Sequence, residues 1–230
     1  MSERERIPLP DFRTLEVPLE FAARLDAVGV RLDAAVLAEV GGFLGLLLAM
    51  NERVNLTAIV EPGAVWERHA LDALSLLPDL TELSEGARVA DLGSGGGVPA
   101  IPLALARREL AFTLVESIHK KAAFLDDAAR RFGLERVEVL AERAEDVGRG
   151  PKQGTFDAVT ARAVAKLSAL VPLAAPLLRP LGRMIFIKGQ RAGDELSEAA
   201  GALRRARVRH LATRATPTGR VVVLEKLPER

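Results

Sequence analysis

The stretch VADLGSGGGVPAIPLALA, residues 89–106, decides the fold of this chain. Its first residues are mostly apolar and end at Asp91, as in a buried strand. Four glycines follow between positions 93 and 97, and a helix-like apolar run begins directly after them. A glycine-rich turn between a strand and a helix is typical of a site that holds a ligand against backbone N–H groups. The question is which ligand this turn is built for.

Three kinds of glycine turn can be compared with this one. The phosphate loop of nucleoside triphosphatases needs Lys and then Ser or Thr, and nothing after Gly97 supplies that pair. The dinucleotide turn G-x-G-x-x-G, begun at Gly93, needs a glycine where this chain has Val98. The looser G-x-G-x-G turn of class I S-adenosylmethionine enzymes is satisfied by Gly93, Gly95 and Gly97. We therefore interpret the turn as an S-adenosylmethionine site, with a tight turn that holds no ligand as the alternative.

Residues around the turn can be assigned to parts of this ligand. Bare backbone at Gly93 and Gly95 lets the chain approach the methionine and ribose moieties. The helix N-terminus after Gly97 favours the ligand carboxylate, and Asp91 can meet the ligand ammonium. Glu116 ends the next predicted strand, 23 residues after Gly93, and can accept hydrogen bonds from ribose hydroxyls. The alternative for Glu116 is an exposed carboxylate that caps a helix.

A regular alternation of strand and helix patterns begins at residue 87. It predicts a parallel sheet covered by helices on both faces. The predicted strands are 87–93, 111–117, a short strand within 137–147, 156–164, 183–189, 208–215 and 220–227, and the predicted helices are 98–108, 119–134, 167–182 and 192–206. The last two strands are joined by TPTG, which is turn chemistry, so they should form an antiparallel hairpin. We predict an α/β fold, the class I S-adenosylmethionine-dependent methyltransferase (Rossmann-like) sheet with a C-terminal antiparallel hairpin.

The first 80 residues have a different pattern. Apolar residues at helical spacing predict one helix over 32–50 and a second from about 64 to Pro78. Gly41, Gly42 and Gly45 weaken the first helix, so close packing must support it. We therefore expect two domains, an N-terminal helical extension (1–80) and a class I methyltransferase core (81–230).

Composition bounds the class of protein. The chain has 230 residues, a net charge of +1 and no cysteine, which excludes disulfides and thiolate zinc sites and fits a reducing cytosol. Its charged start does not resemble a signal peptide, and the most apolar segment, 40–50, is short for a membrane span. We expect a cytoplasmic protein with no membrane and no metal, and a monomer, although no residue determines the oligomeric state. From Arg204 onward there are eight Lys or Arg and two Glu, either a phosphate-binding face or a solvated strand face.

Seven segments, one of them within the glycine stretch, occur in an order that is typical of one family. They are NLTAI (55–59), WERHALDAL (66–74), DLGSGGGVPAIPLAL (91–105), LVESIHKKAAFL (114–125), ERAED (142–146), TARAVAKL (160–167) and KGQ (188–190). In these segments the chain resembles the bacterial 16S ribosomal RNA guanine-N7 methyltransferases, also called glucose-inhibited division protein B. The resemblance implies a class I fold, S-adenosylmethionine as methyl donor, and methylation of one guanine in the 530 loop of the small-subunit RNA. Its partner would be 16S rRNA or the small ribosomal subunit.

The resemblance also implies contacts with the methyl donor. They carry over to Gly93, Val98, the Ala144–Glu145 pair and Arg162. The Ala144–Glu145 pair follows the third strand, where a class I site holds the adenine. Without the resemblance, the segment Arg-Ala-Glu would be interpreted as a salt bridge at a helix start.

Arg162 is the one candidate for a catalytic role. It ends the fourth strand, beside the acceptor pocket of class I folds, and we expect it to orient a phosphate, the guanine edge or the ligand carboxylate. No general base is expected, because guanine N7 has a free lone pair and loses no proton before it attacks the sulfonium methyl. The alternative for Arg162 is a structural pair with Glu145 or Asp146.

Basic residues elsewhere are candidates for RNA contacts. We expect such contacts from Arg143, Lys188 and the basic C-terminal strands, with Arg207 and Arg209 as their candidates. His69 resembles a catalytic base, but a packing or capping role in its helix is the simpler interpretation, and contact with the core or RNA is the other.

Two other functions stay open, and two positions depart from the family. A small-molecule methyltransferase would share the donor turn but would not need the basic residues from Arg204 onward, which we call the basic strip. An RNA-binding module that has lost methyl transfer would not need an intact Gly93, Glu116 and Arg162. The family usually has Gly where this chain has Ala100, and Ser where it has Ala73. We expect Ala100 to tighten the helix entry slightly without loss of binding, whereas Ala73 brings into doubt any role for a hydroxyl there.

Overall fold

The computed structural model describes residues 7–228, which contain one seven-stranded sheet. Its strands are β1 (Arg88–Leu92), β2 (Ala111–Val115), β3 (Val137–Leu140), β4 (Phe156–Arg162), β5 (Leu178–Lys188), β6 (Val208–Ala215) and β7 (Arg220–Lys226). They lie in the order β3-β2-β1-β4-β5-β7-β6. Strands β1 to β5 are parallel to their neighbours among themselves, so their carboxyl ends meet at one edge of the sheet.

The C-terminal strands form the predicted antiparallel hairpin. β7 pairs antiparallel with both β5 and β6, and therefore lies between them. The predicted alternation of parallel strands and helices and the hairpin at the end of the chain are both confirmed.

Helices cover both faces of the sheet, and the helices before β1 pack against the helix that follows it. They are α1 (Phe21–Asp26), α2 (Ala34–Asn51), α3 (Pro62–Val65), a π-helical turn (Trp66–Leu71), α4 (Asp72–Leu74), α5 (Leu77–Leu80), α6 (Ala100–Ala106), α7 (His119–Arg131), α8 (Ala144–Val147), α9 (Leu167–Ala174), α10 (Ala192–Glu198) and α11 (Ala200–Ala206). The π-helical turn joins α3 to α4, so residues 62–74 form one continuous helical stretch.

Alternate residues of the strands pack into two separate hydrophobic cores, one on each face of the sheet. Val89 of β1 and Phe112 of β2 belong to the core that contains the buried faces of α2, α6 and α7. Ala90 and Leu92 of β1 point to the other side and join the core made with α9 and its neighbours. This period of two along each strand positions both layers of helices and leaves the carboxyl ends of the strands for loops.

The predicted helix over 167–182 is wrong in its second half. Helix α9 ends at Ala174, and the chain enters β5 at Leu178. Pro176 and Pro180 cannot donate the backbone hydrogen bonds of a helix interior, so the helix does not continue through them. The early part of β5 carries a bulge, because Phe156 pairs with Leu178 whereas Ala158 pairs with Arg183.

Helix α2 (Ala34–Asn51) confirms the helix predicted over 32–50, and it extends beyond the most apolar segment, 40–50. Its 18 residues are long and apolar enough to cross a membrane by length and composition, but more than half of them are buried inside the protein. A Cβ on Gly41 would lie 2.3 Å from the carbonyl oxygen of Leu15, and one on Gly45 2.0 Å from that of Arg13. The close packing that these glycines were expected to need is therefore supplied by the segment before α1. Such packing is that of a core helix.

Candidate functional site

The glycine turn lies at the carboxyl end of β1, as predicted. Gly93, Gly95 and Gly97 adopt φ values of +62°, +54° and +88°, which L side chains rarely adopt. At Gly97 a Cβ would lie 2.9 Å from Ile101 and 3.1 Å from Leu125, so the core itself excludes a side chain there. At Gly95 the surrounding space is open.

Glu116 lies directly beside this turn and holds it in place. One carboxylate oxygen accepts from the backbone N–H of Gly95 at 2.8 Å, and the other accepts from that of Ile118, also at 2.8 Å. The alternative for Glu116 was an exposed carboxylate that caps a helix. The side chain is buried and not exposed, but it does accept from the N–H of Ile118, the residue before α7. A carboxylate offers about four acceptor positions. Glu116 can therefore still accept hydrogen bonds from two ligand hydroxyls.

Asp91 is fully buried beneath the turn, and half of its carboxylate has no partner. Oδ1 accepts from the hydroxyl of Thr160 at 2.7 Å, but Oδ2 has no hydrogen-bond donor among the described residues. Burial raises the pKa of Asp91 to about 6. A buried acceptor without a donor is costly, and an ammonium group of a ligand would satisfy it. This orphaned oxygen fits S-adenosylmethionine.

A cavity of about 540 Å³, which we call the glycine-loop cavity, opens beside Gly93. Its lining comes from the carboxyl ends of β1, β2 and β4, from the loop after β3 and from α9: Leu92, Gly93, Val115, Ser117, Glu142, Arg143, Ala144, Glu145, Val164 and Leu173. The structure thus brings Gly93 together with Ala144 and Glu145, as predicted. Arg143 is exposed on the same lining and is the N-cap residue of α8.

Two residues of the glycine stretch belong to the core. The Val98 side chain is buried in the hydrophobic core that contains α6, so its predicted ligand contact would use the backbone. Ala100 is the first residue of α6, and its methyl group is fully buried in the same core. Ala73, the other departure from the family, is also fully buried.

At the end of β4 the chain turns, so that residues before and after Ala163 line different cavities. Ala163 adopts a φ of +56°, an uncommon value for a residue with a side chain. On one side of it, Val164 lines the glycine-loop cavity; on the other, Arg162 lines a second cavity of about 860 Å³. We call this the Arg162 cavity.

The Arg162 cavity is assembled from distant parts of the chain. Its lining comes from the loop after α2, the π-helical turn, the ends of β4 and β5, α10 and the turn before β7: Thr57, Ala58, Ile59, Arg68, His69, Asp72, Arg162, Ala163, Ile187, Lys188, Gly189, Glu195 and Thr218. A π-helical turn is rare and is frequently found at functional sites, and this one carries Arg68 and His69.

Arg162 binds this helical turn and not the predicted acidic partners. One guanidinium nitrogen donates to the backbone carbonyl of Arg68 and lies 3.1 Å from Nδ1 of His69. The alternative of a structural pair with Glu145 or Asp146 is therefore wrong, because these residues lie on α8, across the turn at Ala163. Burial lowers the pKa of Arg162, and the charges of Asp72 and Asp91 act in the opposite direction. The guanidinium remains charged in this site.

His69 is a buried link between two elements. Arg162 can only donate, so Nδ1 of His69 accepts, and Nε2–H donates to the hydroxyl oxygen of Thr57 at 2.9 Å. Burial, assisted by the charge of Arg162, lowers the pKa of His69 to about 4, so the ring is neutral at pH 7. His69 thus holds Arg162 through side-chain hydrogen bonds, a role that the simpler interpretation of packing or capping did not include.

Asp72 and Thr218 are functional candidates that the sequence did not single out. The Asp72 side chain is buried, lines the Arg162 cavity, and accepts a hydrogen bond at Oδ1 from the Thr218 hydroxyl. Thr57 is held by Asn51, whose side-chain oxygen accepts from its backbone N–H at 2.8 Å. Thr57, His69 and Asp72 all lie in the segments NLTAI and WERHALDAL, which were the available signal. Thr218 had none beyond its place in a turn.

Several predicted RNA-binding residues already form ion pairs or hydrogen bonds within the protein. Lys188 lines the Arg162 cavity, but its ammonium pairs with Glu195 at 2.7 Å and donates to the carbonyl of Ala165. Arg209 on β6 pairs with Glu225 at 2.6 Å, and Arg207 donates to the carbonyl of Pro228 at 2.6 Å. Part of the basic strip is therefore neutralised within the fold. Among residues 7–228, no group of three or more His, Asp or Glu side chains is placed to hold a metal ion.

Comparison with known proteins agrees with this geometry. Residues 37–222 match the family model GidB, described as rRNA small subunit methyltransferase G. Ribosomal RNA small subunit methyltransferase G of Sorangium cellulosum is 55% identical over 227 residues, 99% of this chain and 95% of that protein.

Solved structures show the same fold at low identity. A SAM-dependent O-methyltransferase from Thermotoga maritima superposes with a TM-score of 0.54 at 19% identity, over 80% of this chain and 72% of that one. A SAM-dependent methyltransferase from Aquifex aeolicus gives 0.55 at 16% identity, over 70% of this chain and 92% of that one. The sheet described above is therefore of the class I Rossmann-like type.

Proposed function

Since the chain belongs to the rRNA small subunit methyltransferase G family, we propose that it methylates N7 of one guanine in the 530 loop of 16S rRNA. The methyl donor in this proposal is S-adenosylmethionine, and no metal takes part. One observation carries the proposal: the chain turns at Ala163, so that Val164 lines the glycine-loop cavity while Arg162 lines the Arg162 cavity. The end of β4 thus connects a candidate donor site with a pocket large enough for a base.

The glycine-loop side supplies the acceptors that the donor needs. Asp91 Oδ2 accepts from the ammonium, and the remaining acceptor positions of Glu116 take the ribose hydroxyls. The backbone at Ala144 and the side chain of Glu145 read the adenine edge at the far end of the glycine-loop cavity. Three adjacent strand ends therefore hold one ligand, as expected at the carboxyl edge of an open parallel sheet.

The chemical step requires alignment and no proton removal. When bound, S-adenosylmethionine would supply an electrophilic methyl group for direct attack by the free lone pair of guanine N7. The sulfur–methyl bond would break with its electron pair going to sulfur, and S-adenosylhomocysteine would leave as the neutral thioether. His69 stays neutral and keeps Arg162 in place, so it is a positioning residue and not a general base. Arg162 orients the base or its phosphate toward the donor, and such alignment of the reacting atoms contributes to the rate acceleration.

The base must leave its stack to reach Arg162. A guanine within a loop is reached by flipping or in a single-stranded segment, at a cost of a few kcal/mol. Arg68 is exposed at the lining of the Arg162 cavity, and Arg143 is exposed at the glycine-loop cavity. We propose these two cations for contacts with phosphates beside a flipped nucleotide, with Lys188, Arg207 and Arg209 in supporting positions.

We also propose that the enzyme acts as a monomer in the cytoplasm, where ribosomal RNA is located. The division into a helical extension (1–80) and a core (81–230) stays a prediction.

Methyl transfer from tritiated S-adenosylmethionine tests the proposal. Naked 16S rRNA, 30S subunits and 70S ribosomes from a strain that lacks this methylation are each incubated with the enzyme, and the labelled base is mapped. We expect label at N7 of one guanine of the 530 loop in at least one of the three substrates. Label at another base would contradict the assigned target, and no label on any of them would contradict the proposed function.

A further inference from the structure

Asp72 presents a carboxylate to the Arg162 cavity. The residue is 6% exposed and lines the Arg162 cavity. Oδ1 accepts from the Thr218 hydroxyl, but no hydrogen-bond donor among residues 7–228 contacts Oδ2, and no cation of that part of the chain lies within 4.0 Å of the carboxylate. Unlike Oδ2 of Asp91, this oxygen is not sealed from solvent, so it faces the cavity and can accept hydrogen bonds from a ligand bound there.

The charge of this carboxylate persists under the conditions of an assay. Burial raises the pKa of Asp72 to about 6, whereas the charges of Arg162 and Arg68 lower it and that of Glu67 raises it. At pH 8 the side chain is therefore ionised, and an ionised carboxylate only accepts hydrogen bonds. Its ligand partner must present N–H or O–H groups and cannot be a phosphate.

Guanine presents two such donors side by side. Its N1–H and its 2-amino group lie on one edge and match the two oxygens of a carboxylate. Adenine and cytosine place a ring-nitrogen acceptor beside their amino group, and a carboxylate facing that acceptor is repelled. Resting on the proposed function, we propose that Asp72 selects guanine by accepting hydrogen bonds from N1–H and the 2-amino group of the flipped base.

The arrangement of the cavity agrees with this orientation. N7 lies on the edge of guanine opposite N1, so a base that meets Asp72 with N1 directs N7 away from it. Asp72 and Arg162 line the same cavity, and the chain leads from Arg162 through Ala163 to Val164, which lines the glycine-loop cavity. Ile59 and Ile187 are apolar parts of the same lining against which the faces of a base can pack.

Replacement of one guanosine by inosine tests the proposal. Inosine keeps N7, N1–H and O6 but lacks the 2-amino group. The labelled guanosine is replaced by inosine through ligation of a synthetic segment into 16S rRNA, followed by assembly into 30S subunits. Wild-type enzyme should show a kcat/KM for guanosine at least 20-fold above that for inosine, because the site would be left with an unpaired acceptor.

Two substitutions assign this selectivity to Asp72. Asp72→Ala should bring the ratio of guanosine to inosine below threefold, and Asp72→Asn, which keeps the side-chain shape, should lower kcat/KM for guanosine at least 30-fold. Both should bind S-adenosylmethionine within twofold of wild type by calorimetry, which shows that the fold and the donor site are intact. Glu67→Gln is the matched control, since it removes a carboxylate from the same helical stretch, where Glu67 pairs with Arg24. It should keep the wild-type ratio.

The outcomes separate this proposal from the function on which it rests. Methylation of guanosine with equal methylation of inosine by wild type, or an unchanged ratio in Asp72→Ala, would overturn the role of Asp72 and leave the proposed function standing. No methylation of the guanosine substrate by wild type would overturn both.

Discussion

The two cavities differ in how the chain builds them. The polar residues of the glycine-loop side, from Asp91 to Glu145, come from three adjacent strand ends within about a quarter of the chain. The polar residues of the Arg162 cavity range from Thr57 to Thr218, and their contacts connect residues 93 and 146 positions apart. The first cavity follows from local rules of parallel sheets. The second exists only when helices before the sheet and the hairpin after it are packed in place.

The largest expected effect tests whether the glycine turn is part of the core. Gly97→Ala places a Cβ 2.9 Å from Ile101 at a φ of +88°, and backbone strain with overpacking should lower the free energy of unfolding by about 3 kcal/mol. Gly95→Ala has a similar backbone problem in open space and should lower it by about 1 kcal/mol. Urea unfolding followed by circular dichroism compares the two. Equal losses would mean that core packing at Gly97 contributes nothing.

The same contrast explains what could be predicted from the sequence. The strand before Asp91, the G-x-G-x-G turn and the position of Glu116 are set by neighbours along the chain, and all were found in the predicted places. The helix predicted over 167–182 was wrong in its second half because Pro176 and Pro180, two of its three prolines, were given too little weight against its apolar pattern.

Contacts between remote segments were not predictable. The acidic partner that the sequence suggested for Arg162 was Glu145 or Asp146. Its observed partners are the Arg68 carbonyl and His69, some 93 residues away, and no pattern in one sequence indicates such a pairing. Asp72 was missed for the same reason, because its environment is created by tertiary packing.

The next largest effect concerns the residue between the two cavities. Arg162→Ala should lower kcat/KM for methyl transfer about a hundredfold, or roughly 2.7 kcal/mol, through loss of alignment. Arg162→Lys should restore little of this, since an ammonium cannot reproduce the planar set of donors that reaches the helical turn. Thermal unfolding checks that both variants are folded. Near-normal turnover of a folded Arg162→Ala variant would return the arginine to a structural role.

Asp91→Asn should have opposite effects on binding and on stability. Affinity for S-adenosylmethionine should fall about 30-fold, or roughly 2 kcal/mol, because a charged acceptor for the ammonium is lost. The folded pKa of Asp91, about 6, lies above the usual 3.8, so its contribution to stability is lost as the pH rises through about 6.

Above that pH the wild type carries an ionised carboxylate with an unpartnered oxygen, which asparagine avoids. The free energy of unfolding of the variant without ligand should therefore exceed that of wild type by about 1 kcal/mol at pH 8, and by less at pH 5. Calorimetry and urea titrations at both pH values measure the two effects. Weaker binding together with lower stability at pH 8 would contradict the assignment of an orphaned oxygen.

Glu116→Ala tests a residue that serves both the turn and the ligand. We expect at least tenfold weaker binding of S-adenosylmethionine, or about 1.4 kcal/mol, since two ribose hydroxyls lose a charged acceptor. The N–H groups of Gly95 and Ile118 also lose their acceptor, so the unfolding free energy should fall by about 1 kcal/mol. Glu138→Ala, which removes a β3 carboxylate that pairs with Lys152, is the control for charge. Unchanged affinity in a less stable Glu116→Ala variant would leave Glu116 as a cap alone.

The smallest expected effect compares two cations that could meet RNA. Arg68 is exposed at the lining of the Arg162 cavity, whereas both the Nε and Nη2 groups of Arg209 bind Glu225. A cation whose charge is neutralised within the fold gains less from a phosphate. Arg68→Gln should therefore raise KM for 30S subunits about fivefold at 0.1 M salt, and Arg209→Gln about twofold.

The salt dependence separates a phosphate contact from a change in shape. Loss of one phosphate contact lowers the slope of log affinity against log salt concentration by roughly one, and we expect this for Arg68→Gln. If Arg209→Gln had the larger effect on KM and on the slope, the basic strip would be the principal RNA contact. In that case β6 would hold most of the RNA backbone, and the Arg162 cavity would contact only the target base.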